Sequence, residues 1–254
     1  MKRSVSIMQP AYLPWAGFFE LIWSSNVFVL LDDAQFSVQN REQRNRLFVN
    51  PGQVDWYSVP IDRKASFKRP IREAAILEGG NWRRKMWERI RLNYGKAPYF
   101  PPLAGWLERW FLTSHGSLLD QNVAFIRWVC ELFGWERELP LSSAHPSELR
   151  RSERVLELLR AHGATRYLAA NGSIGYMLED GVFPVDNIEV LFQDHQPRAY
   201  PMIGASGFVD RLSVLDALLN VGPATAAALV QSGTARWLTW EERKSRHVQE
   251  AASP

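Results

Sequence analysis

Residues 4–33 read SVSIMQPAYLPWAGFFELIWSSNVFVLLDD, and this stretch decides the fold. Its pattern predicts a short strand over 5–8, a proline-containing loop, a helix over 18–23 and a wholly apolar strand over 27–31. A strand, a helix and a strand within about 30 residues have the size of a βαβ unit. A strand that is apolar on both faces is typical of a parallel sheet covered by helices. The N-terminal segment therefore predicts an α/β protein.

The rest of the chain extends this architecture. Short β-prone runs at 47–49 and 56–61 flank Pro51 and Gly52, which predicts a small β insertion. The predicted helices cover 82–94, 103–112, 118–133, 148–162, 212–220 and 223–231, and further strands cover 139–141, 166–169 and 189–192. We predict an α/β fold with a mostly parallel sheet, flanking helices, a small β insertion and a helical middle block. It would form one composite domain over 1–240, followed by a polar, flexible tail over 241–254.

Composition excludes several classes of protein. The 254 residues are 46% hydrophobic and 22% charged, which is typical of a globular chain. A single cysteine, Cys130, excludes an intramolecular disulfide framework and a multi-cysteine zinc site, and its neighbours predict a buried apolar position. The five histidines show no metal-ligand spacing, so we expect no metal and no cofactor. No run of about 18 apolar residues without a charge occurs, so we expect a cytoplasmic protein with no membrane span.

Charge is unevenly distributed along the chain. Residues 41–96 hold 14 lysines and arginines against 6 aspartates and glutamates, while the whole chain carries a net charge of +3. Such a basic segment favours an anionic partner, although a solvated basic face gives the same pattern.

The strongest candidate site follows the second predicted strand. Asp32, Asp33 and Gln35 lie where ligands bind in open α/β sheets, beyond the carboxyl ends of the strands, and Gln9 follows the first strand. One aspartate could act as a general base, or could instead cap a turn or pair with an arginine. Neighbouring residues at a strand end point to opposite sides, so we expect only one carboxylate to face a pocket.

Three other groups of polar residues are candidates. In an extended segment Arg44 and Arg46 share a face, which allows a bidentate anion clamp, while Asn45 points away. The alternative is that one arginine pairs with Asp32 or Asp33. Ser213, Asp216 and Asn220 share one face of an apolar helix, and a buried aspartate there either meets a ligand or is paired inside the protein. His195, after the last predicted strand, is a possible general base or an ordinary loop histidine.

Several strings resemble the WbqC-like family of bacterial polysaccharide and natural-product gene clusters. They are IMQPAYLPWAGFF (7–19), FVLLDDAQF (28–36), RNRL (44–47), YGKAPYF (94–100) and LSVLDALLN (212–220). The resemblance implies transfer of glycine, or of a related acyl group, onto an amino sugar.

We therefore expect an acyl or aminoacyl transferase that acts on an amine of a sugar nucleotide or biosynthetic intermediate. Asp33, Asp32 and His195 are the candidate catalytic residues. The candidate substrate-binding residues, which should converge on one cavity, are Gln9, Tyr12, Trp15, Gln35, Arg44, Asn45, Arg46, Asn171, Ser213, Asp216 and Asn220. The substrate would be anionic, either free or bound to an acyl or peptidyl carrier protein. The alternatives are a non-catalytic module that binds a carrier protein or a carbohydrate intermediate and, more remotely, nucleic-acid binding.

Overall fold

The computed structural model describes residues 2–252. Seven strands are present in this part of the chain: β1 Ser4–Met8, β2 Val27–Leu30, β3 Arg44–Asn50, β4 Gln53–Ser58, β5 Arg166–Ala169, β6 Glu189–Phe192 and β7 Leu238–Thr239. Five of them form one sheet in the order β2-β1-β5-β6-β7, in which β2, β1, β5 and β6 run parallel and β7 pairs antiparallel to β6. The four parallel strands consequently bring their carboxyl ends to one edge of the sheet.

Eight α-helices are present over residues 2–252: α1 Ala16–Ser24, α2 Trp82–Tyr94, α3 Phe100–Leu112, α4 Leu118–Leu132, α5 Arg151–Ala161, α6 Ile174–Asp180, α7 Val214–Gln231 and α8 Trp240–Ala252. Helix α1 connects β1 to β2, so the predicted βαβ unit is confirmed. The helical middle block is confirmed as α2, α3 and α4. The α/β fold class is therefore as predicted from the sequence.

The predicted β insertion is an antiparallel hairpin formed by β3 and β4. It turns at Pro51 and Gly52, where Gly52 has a φ of 72°, a backbone conformation that favours glycine. The two strands form their own sheet, separate from the five-stranded one. The side chains of β3 therefore belong to a different sheet from the ends of the parallel strands.

Helix α7 bends at the predicted junction between two helical segments. Gly222 has φ 80° and ψ 167°, and Pro223 starts the second segment. A Cβ at Gly222 would lie 2.4 Å from the ring of Tyr99, so only glycine fits here. The apolar composition and length of α7 would suit a membrane span, but 61% of it is buried inside the protein, as in a core helix.

Three predicted elements differ from the structure. Residues 139–141 form no strand of the sheet; Leu141 only makes an isolated parallel bridge to Leu30 of β2. Helix α5 begins at Arg151 rather than at residue 148. The polar tail predicted from residue 241 is instead helix α8, because Trp240 and Arg243 are buried against the rest of the protein. Residues 253 and 254 of that tail lie outside the described residues.

The core is rich in aromatic side chains. Six of the eleven tryptophans are buried, among them Trp87, Trp110 and Trp128 of the middle helices. Cys130 is buried as well, and burial raises the pKa of its thiol to about 12. These residues pack the interior, as the sequence predicts, and a thiol with such a pKa is a poor nucleophile at neutral pH.

Candidate functional site

A large cavity lies at the carboxyl ends of the parallel strands. Its volume is about 1110 Å³, which is enough for a nucleotide-sized ligand. Strand β1 leads into it through Met8 and Gln9, β2 through Leu31 and Asp33, and β5 through Ala170. This is the position where open α/β sheets bind ligands.

Asp33 is the carboxylate that faces the cavity. Its side chain is 17% exposed, and its Oδ2 accepts a hydrogen bond of 2.6 Å from Nη2 of Arg154. Its Oδ1 lies 2.7 Å from the hydroxyl of Ser142. Each carboxylate oxygen has a second lone pair, so Asp33 is fixed in orientation and still able to accept a proton or a hydrogen bond from a ligand.

Asp32 points the other way and is completely buried. Its Oδ1 accepts the backbone N–H of Ser143 at 2.9 Å, and its Oδ2 accepts the Ser143 hydroxyl at 2.7 Å. Asp32 therefore stabilises the 3₁₀ turn Ser142–Ala144, which in turn supplies the hydroxyl of Ser142 to Asp33. The two adjacent aspartates thus have different roles, one in the interior and one at the cavity.

Arg154 fixes the rim of the cavity around Asp33. Only 5% of its side chain is exposed, and its Nη2 also donates to the carbonyl oxygens of Ser142 and His145. Its Nη1 pairs with Glu157 on the following turn of α5. Arg154 therefore joins α5, the turn after Leu141 and the end of β2.

Positive charge exceeds negative charge on the cavity wall. Five cationic residues line it against three carboxylates, namely Lys68, Arg72, Arg150, Arg151 and Arg154 against Asp33, Glu148 and Glu179. Arg151 pairs with Glu179, whereas Lys68 and Arg150 make no ion pair with any of residues 2–252. Lys68 and Arg151 also have φ values of 57° and 52°, a costly backbone conformation for these residue types. The cavity thus has cations available for an anionic ligand.

The sequence analysis missed most of these cations and also Tyr176. Tyr176 is half-buried on α6 and lines the cavity, and burial raises the pKa of its hydroxyl, which stays a hydrogen-bond donor. The available signal was the run Arg150, Arg151 and Arg154 at the start of a predicted helix, where Arg150 and Arg154 share a face. Nothing local in the sequence relates that run to Asp33, which lies 121 residues earlier.

Gln9 and Gln35 line the cavity together with Asp33, as expected. Asn171 lies at its edge: it starts the 3₁₀ turn after β5, its neighbours Ala170 and Ser173 line the cavity, and its own side chain does not. The Asn171 backbone carbonyl accepts a hydrogen bond of 3.1 Å from Nε of Arg243 in α8. The C-terminal helix therefore supports the turn next to the cavity.

Arg44, Asn45 and Arg46 lie on the hairpin and do not line the cavity, because β3 belongs to the other sheet. Asn45 is buried and structural: its Nδ2 donates to the carbonyl of Leu13 at 2.7 Å, which ties the hairpin to the loop after β1. Neither arginine pairs with Asp32 or Asp33; the arginine that does so is Arg154.

Asp216 is a buried partner of two tyrosines. Its Oδ2 accepts the hydroxyl of Tyr94 at 2.7 Å, and its Oδ1 accepts the hydroxyl of Tyr200 at 2.9 Å. Burial raises the pKa of Asp216 to about 6, against the lowering effect of these bonds and of Asn220. Ser213 caps the N-terminus of α7 by accepting from the N–H of Leu215 at 3.2 Å. These helix residues hold the fold together and lie away from the large cavity.

His195 is paired with a buried glutamate. Its Nδ1 lies 2.9 Å from Oε2 of Glu20, and its ring packs edge-on against Trp15 at 4.9 Å. Burial would raise the pKa of Glu20, but hydrogen bonds from His195, Thr234 and Gln193 leave it below its ordinary value. His195, Trp15 and Ser213 line a separate cavity of about 40 Å³, which is too small for a substrate.

The predicted residues therefore do not converge on one cavity. Tyr12 is also in the core, fully buried and stacked on Trp110 at 5.8 Å. The reason is topological: the loop after β1 separates the strand ends from the hairpin and from α7, so residues on its two sides face different spaces. Only Gln9, Asp33 and Gln35 remain as predicted lining residues of the large cavity.

Comparison with known proteins gives one family. The profile of the WbqC-like protein family matches residues 9–228, which include most of the cavity wall, the hairpin and nearly all of α7. Uncharacterized protein Rv1507c of Mycobacterium tuberculosis (strain ATCC 25618 / H37Rv) is 30% identical over 222 residues, which cover 87% of this chain and 94% of that relative. No solved structure matches the chain. With a match over most of its length, the chain belongs to the WbqC-like protein family.

Proposed function

We propose that this protein is a cytoplasmic transferase that moves an acyl or aminoacyl group, such as glycyl, onto an amine of a sugar nucleotide or biosynthetic intermediate. The observation that carries the proposal is a cavity of about 1110 Å³ that combines an oriented carboxylate, Asp33, with two cations, Lys68 and Arg150, that make no ion pair within the described part of the chain. Such a wall suits a substrate that is anionic at one end and carries an amine to be deprotonated.

The residues of the cavity have three different roles in this proposal. Lys68, Arg72 and Arg150 bind the anionic part of the donor or acceptor, a role that the sequence analysis gave to Arg44 and Arg46. Asp33, held by Arg154 and Ser142, accepts the amine proton. Gln9 and Gln35 orient carbonyl and hydroxyl groups of the substrates.

The reaction requires an activated acyl donor, such as a thioester bound to a carrier protein. The amine nitrogen attacks the carbonyl carbon, so that a C–N bond forms and the C–S bond breaks. The amine proton passes to Asp33 and then to the departing thiolate, which leaves as a thiol. Direct attack in a ternary complex fits this cavity, because its lining contains no cysteine and no serine–histidine pair to act as an activated nucleophile.

A reaction screen read by mass spectrometry tests the proposal. The protein is incubated with amino-sugar nucleotides and with glycyl and other acyl thioesters, free and carrier-bound, and the expected product is the acceptor plus one acyl group. Asp33→Asn should abolish turnover. Glu157→Gln is the matched control, since it removes the other carboxylate of Arg154 but does not line the cavity, and it should keep turnover.

One result would contradict the role of Asp33, and another would contradict the transferase itself. Turnover by Asp33→Asn at the wild-type rate would exclude Asp33 as the base. Saturable binding of a carrier protein or sugar nucleotide without any product would favour the alternative, a non-catalytic binding module. Both oxygens of Asp33 already have partners, Arg154 and Ser142, and this arrangement suits a binding module as well as it suits an enzyme.

A further inference from the structure

A second cluster of cations lies on the hairpin, outside the cavity. The guanidinium carbons of Arg44 and Arg41 stand 4.2 Å and 5.1 Å from the centre of the Trp56 ring. Arg46 is the direct partner of Trp56 across the β3–β4 ladder, so its side chain leaves the same face. Arg211 adjoins them, since Nη2 of Arg46 donates to the carbonyl of residue 210 at 3.3 Å. We call Arg41, Arg44, Arg46, Arg211 and Trp56 the arginine face.

The arginine face has almost no neutralising partner. The side chain of Arg44 makes no hydrogen bond and no ion pair with any of residues 2–252. Arg41 donates to the Asn45 amide oxygen, and Arg46 donates to a backbone carbonyl. The one ion pair that the four arginines make within residues 2–252 joins Nε of Arg211 to Oδ2 of Asp210 at 3.6 Å. The pKa of Arg41 is lowered, first by burial and then by the positive charges of Arg46, Arg44 and Arg211. The four arginines therefore act on one another electrostatically.

The acidic residue nearest in sequence does not relieve this charge. Glu42, between Arg41 and Gln43, is turned into the interior and is 2% exposed. Its Oε2 has no hydrogen-bond partner among residues 2–252. Glu42 is therefore held in the interior, and Asp55, the acidic residue of the hairpin itself, pairs with Arg89 of α2 at 3.0 Å. Neither carboxylate makes an ion pair with the arginine face among residues 2–252.

The fold holds these cations in place. Buried Asn45 ties the strand between Arg44 and Arg46 to the carbonyl of Leu13, and the carbonyl of Arg46 accepts the N–H of Ser213 at 3.1 Å. The Nε atoms of Arg44 and Arg46 are buried and have no partner among the described residues. Buried donors without acceptors cost free energy, so these two guanidinium groups have hydrogen-bonding capacity that the described residues leave unused.

We propose that the arginine face is a binding site for the phosphate groups of a small molecule, with a diphosphate as the fitting ligand. Guanidinium groups bind phosphate through two parallel hydrogen bonds, and neighbouring arginines can each take one phosphate of a diphosphate. A compact ligand fits better than a nucleic acid, because the chain outside residues 41–96 carries more negative than positive charge and would repel an extended polyanion. This inference does not depend on the proposed transferase.

Calorimetric titration of the full chain with inorganic pyrophosphate tests the site. We expect saturable binding with a Kd below about 1 mM. The double variant Arg44→Gln, Arg46→Gln should weaken binding at least about tenfold, because it removes charge-assisted hydrogen bonds. Arg41→Gln alone should weaken it less, and thermal unfolding of each variant checks that the fold is retained.

Two control variants decide whether the effect belongs to this face. Arg63→Gln removes an exposed charge of the same basic region and should leave the affinity unchanged. Arg72→Gln with Arg150→Gln removes two cations from the cavity wall and should also leave this binding event in place. Absence of saturable binding would overturn the proposal, as would equal weakening by Arg63→Gln or loss only with the cavity variants. Tighter binding of duplex DNA than of pyrophosphate would replace it with nucleic-acid binding.

Discussion

The cavity at the strand ends and the arginine face of the hairpin are both rich in arginines, but the arginines differ in how far their charges are neutralised. At the cavity the most buried arginine, Arg154, is surrounded by acceptors: Asp33, Glu157 and two backbone carbonyls. On the hairpin, Arg44 has only the ring of Trp56 beneath it. The first arrangement uses an arginine to position a carboxylate, whereas the second leaves arginines unneutralised. Removing a charge should therefore destabilise the first region and leave the second almost unaffected.

The largest effect should come from Arg154→Ala. It leaves Asp33 and several buried acceptors without their donor, and breaking a buried ion pair by removing one partner costs about 4 kcal/mol. Denaturant unfolding measures this loss. Arg151→Ala is the control, because its pairs with Glu179 and Asp180 are more exposed and should contribute far less to the free energy of unfolding. Equal losses for the two variants would remove the contrast between the regions.

Asp216→Ala should cause the second-largest loss of stability. It tests the hydrogen bonds that join the hairpin to α7. The Tyr94 hydroxyl donates to Asp216 and accepts the N–H of Phe48 in β3 at 3.1 Å. Losing the carboxylate leaves two buried hydroxyls without an acceptor, at a cost of about 3 kcal/mol in the free energy of unfolding. Asp210→Ala, at an exposed position, should change it by less than about 0.5 kcal/mol. A small effect at Asp216 would mean that the tyrosines find water instead.

The effect of Glu42→Gln on stability should depend on pH. Burial raises the pKa of Glu42 to about 7, above its ordinary value near 4.5. The folded protein therefore binds the Glu42 proton more tightly than the unfolded chain, so Glu42 lowers stability progressively as the pH rises from about 4.5 to about 7. Glutamine mimics the neutral acid, so the variant should match the wild type at pH 4 and exceed it by about 3 kcal/mol at pH 8.

Unfolding curves at both pH values measure this difference. A variant that is less stable than the wild type at pH 8 would show that Glu42 does neutralise the arginine face. In that case the contrast with the cavity would disappear.

The smallest effect should come from Arg44→Gln. It removes a cation–π contact of about 1 kcal/mol and relieves repulsion from three other arginines, so the net change should stay within about 0.5 kcal/mol. Unfolding at low and high salt separates the two contributions, since salt screens the repulsion. A loss of more than about 2 kcal/mol in the free energy of unfolding would mean that the Arg44 guanidinium has an ion-pair partner in the folded protein.

Sequence patterns predicted the fold better than they predicted the site. Periodicity placed β5 and β6 at their observed residues, and parallel pairing brought Gln9 and Asp33 to one edge of the sheet. The partnership of Asp33 with Arg154 could not be read from the sequence, because it depends on how a helix 121 residues away packs against that edge.

The errors have similar physical causes. Residue type and spacing suggested that Arg44 and Asp216 would line the same cavity as Asp33, but tertiary packing places both side chains elsewhere. The C-terminal helix α8 is polar in composition, and a few buried side chains such as Trp240 are enough to anchor it.

The segment after residue 228 sets a practical limit on how this protein can be shortened. Strand β7 covers the outer edge of β6, and Arg243 of α8 holds the turn that follows β5. A fragment cut where the family match ends would expose backbone donors and acceptors of β6 to other chains, a known route to aggregation. Expression fragments that keep α8 complete avoid this, so the evolutionary unit is shorter than the unit that should be produced for experiments.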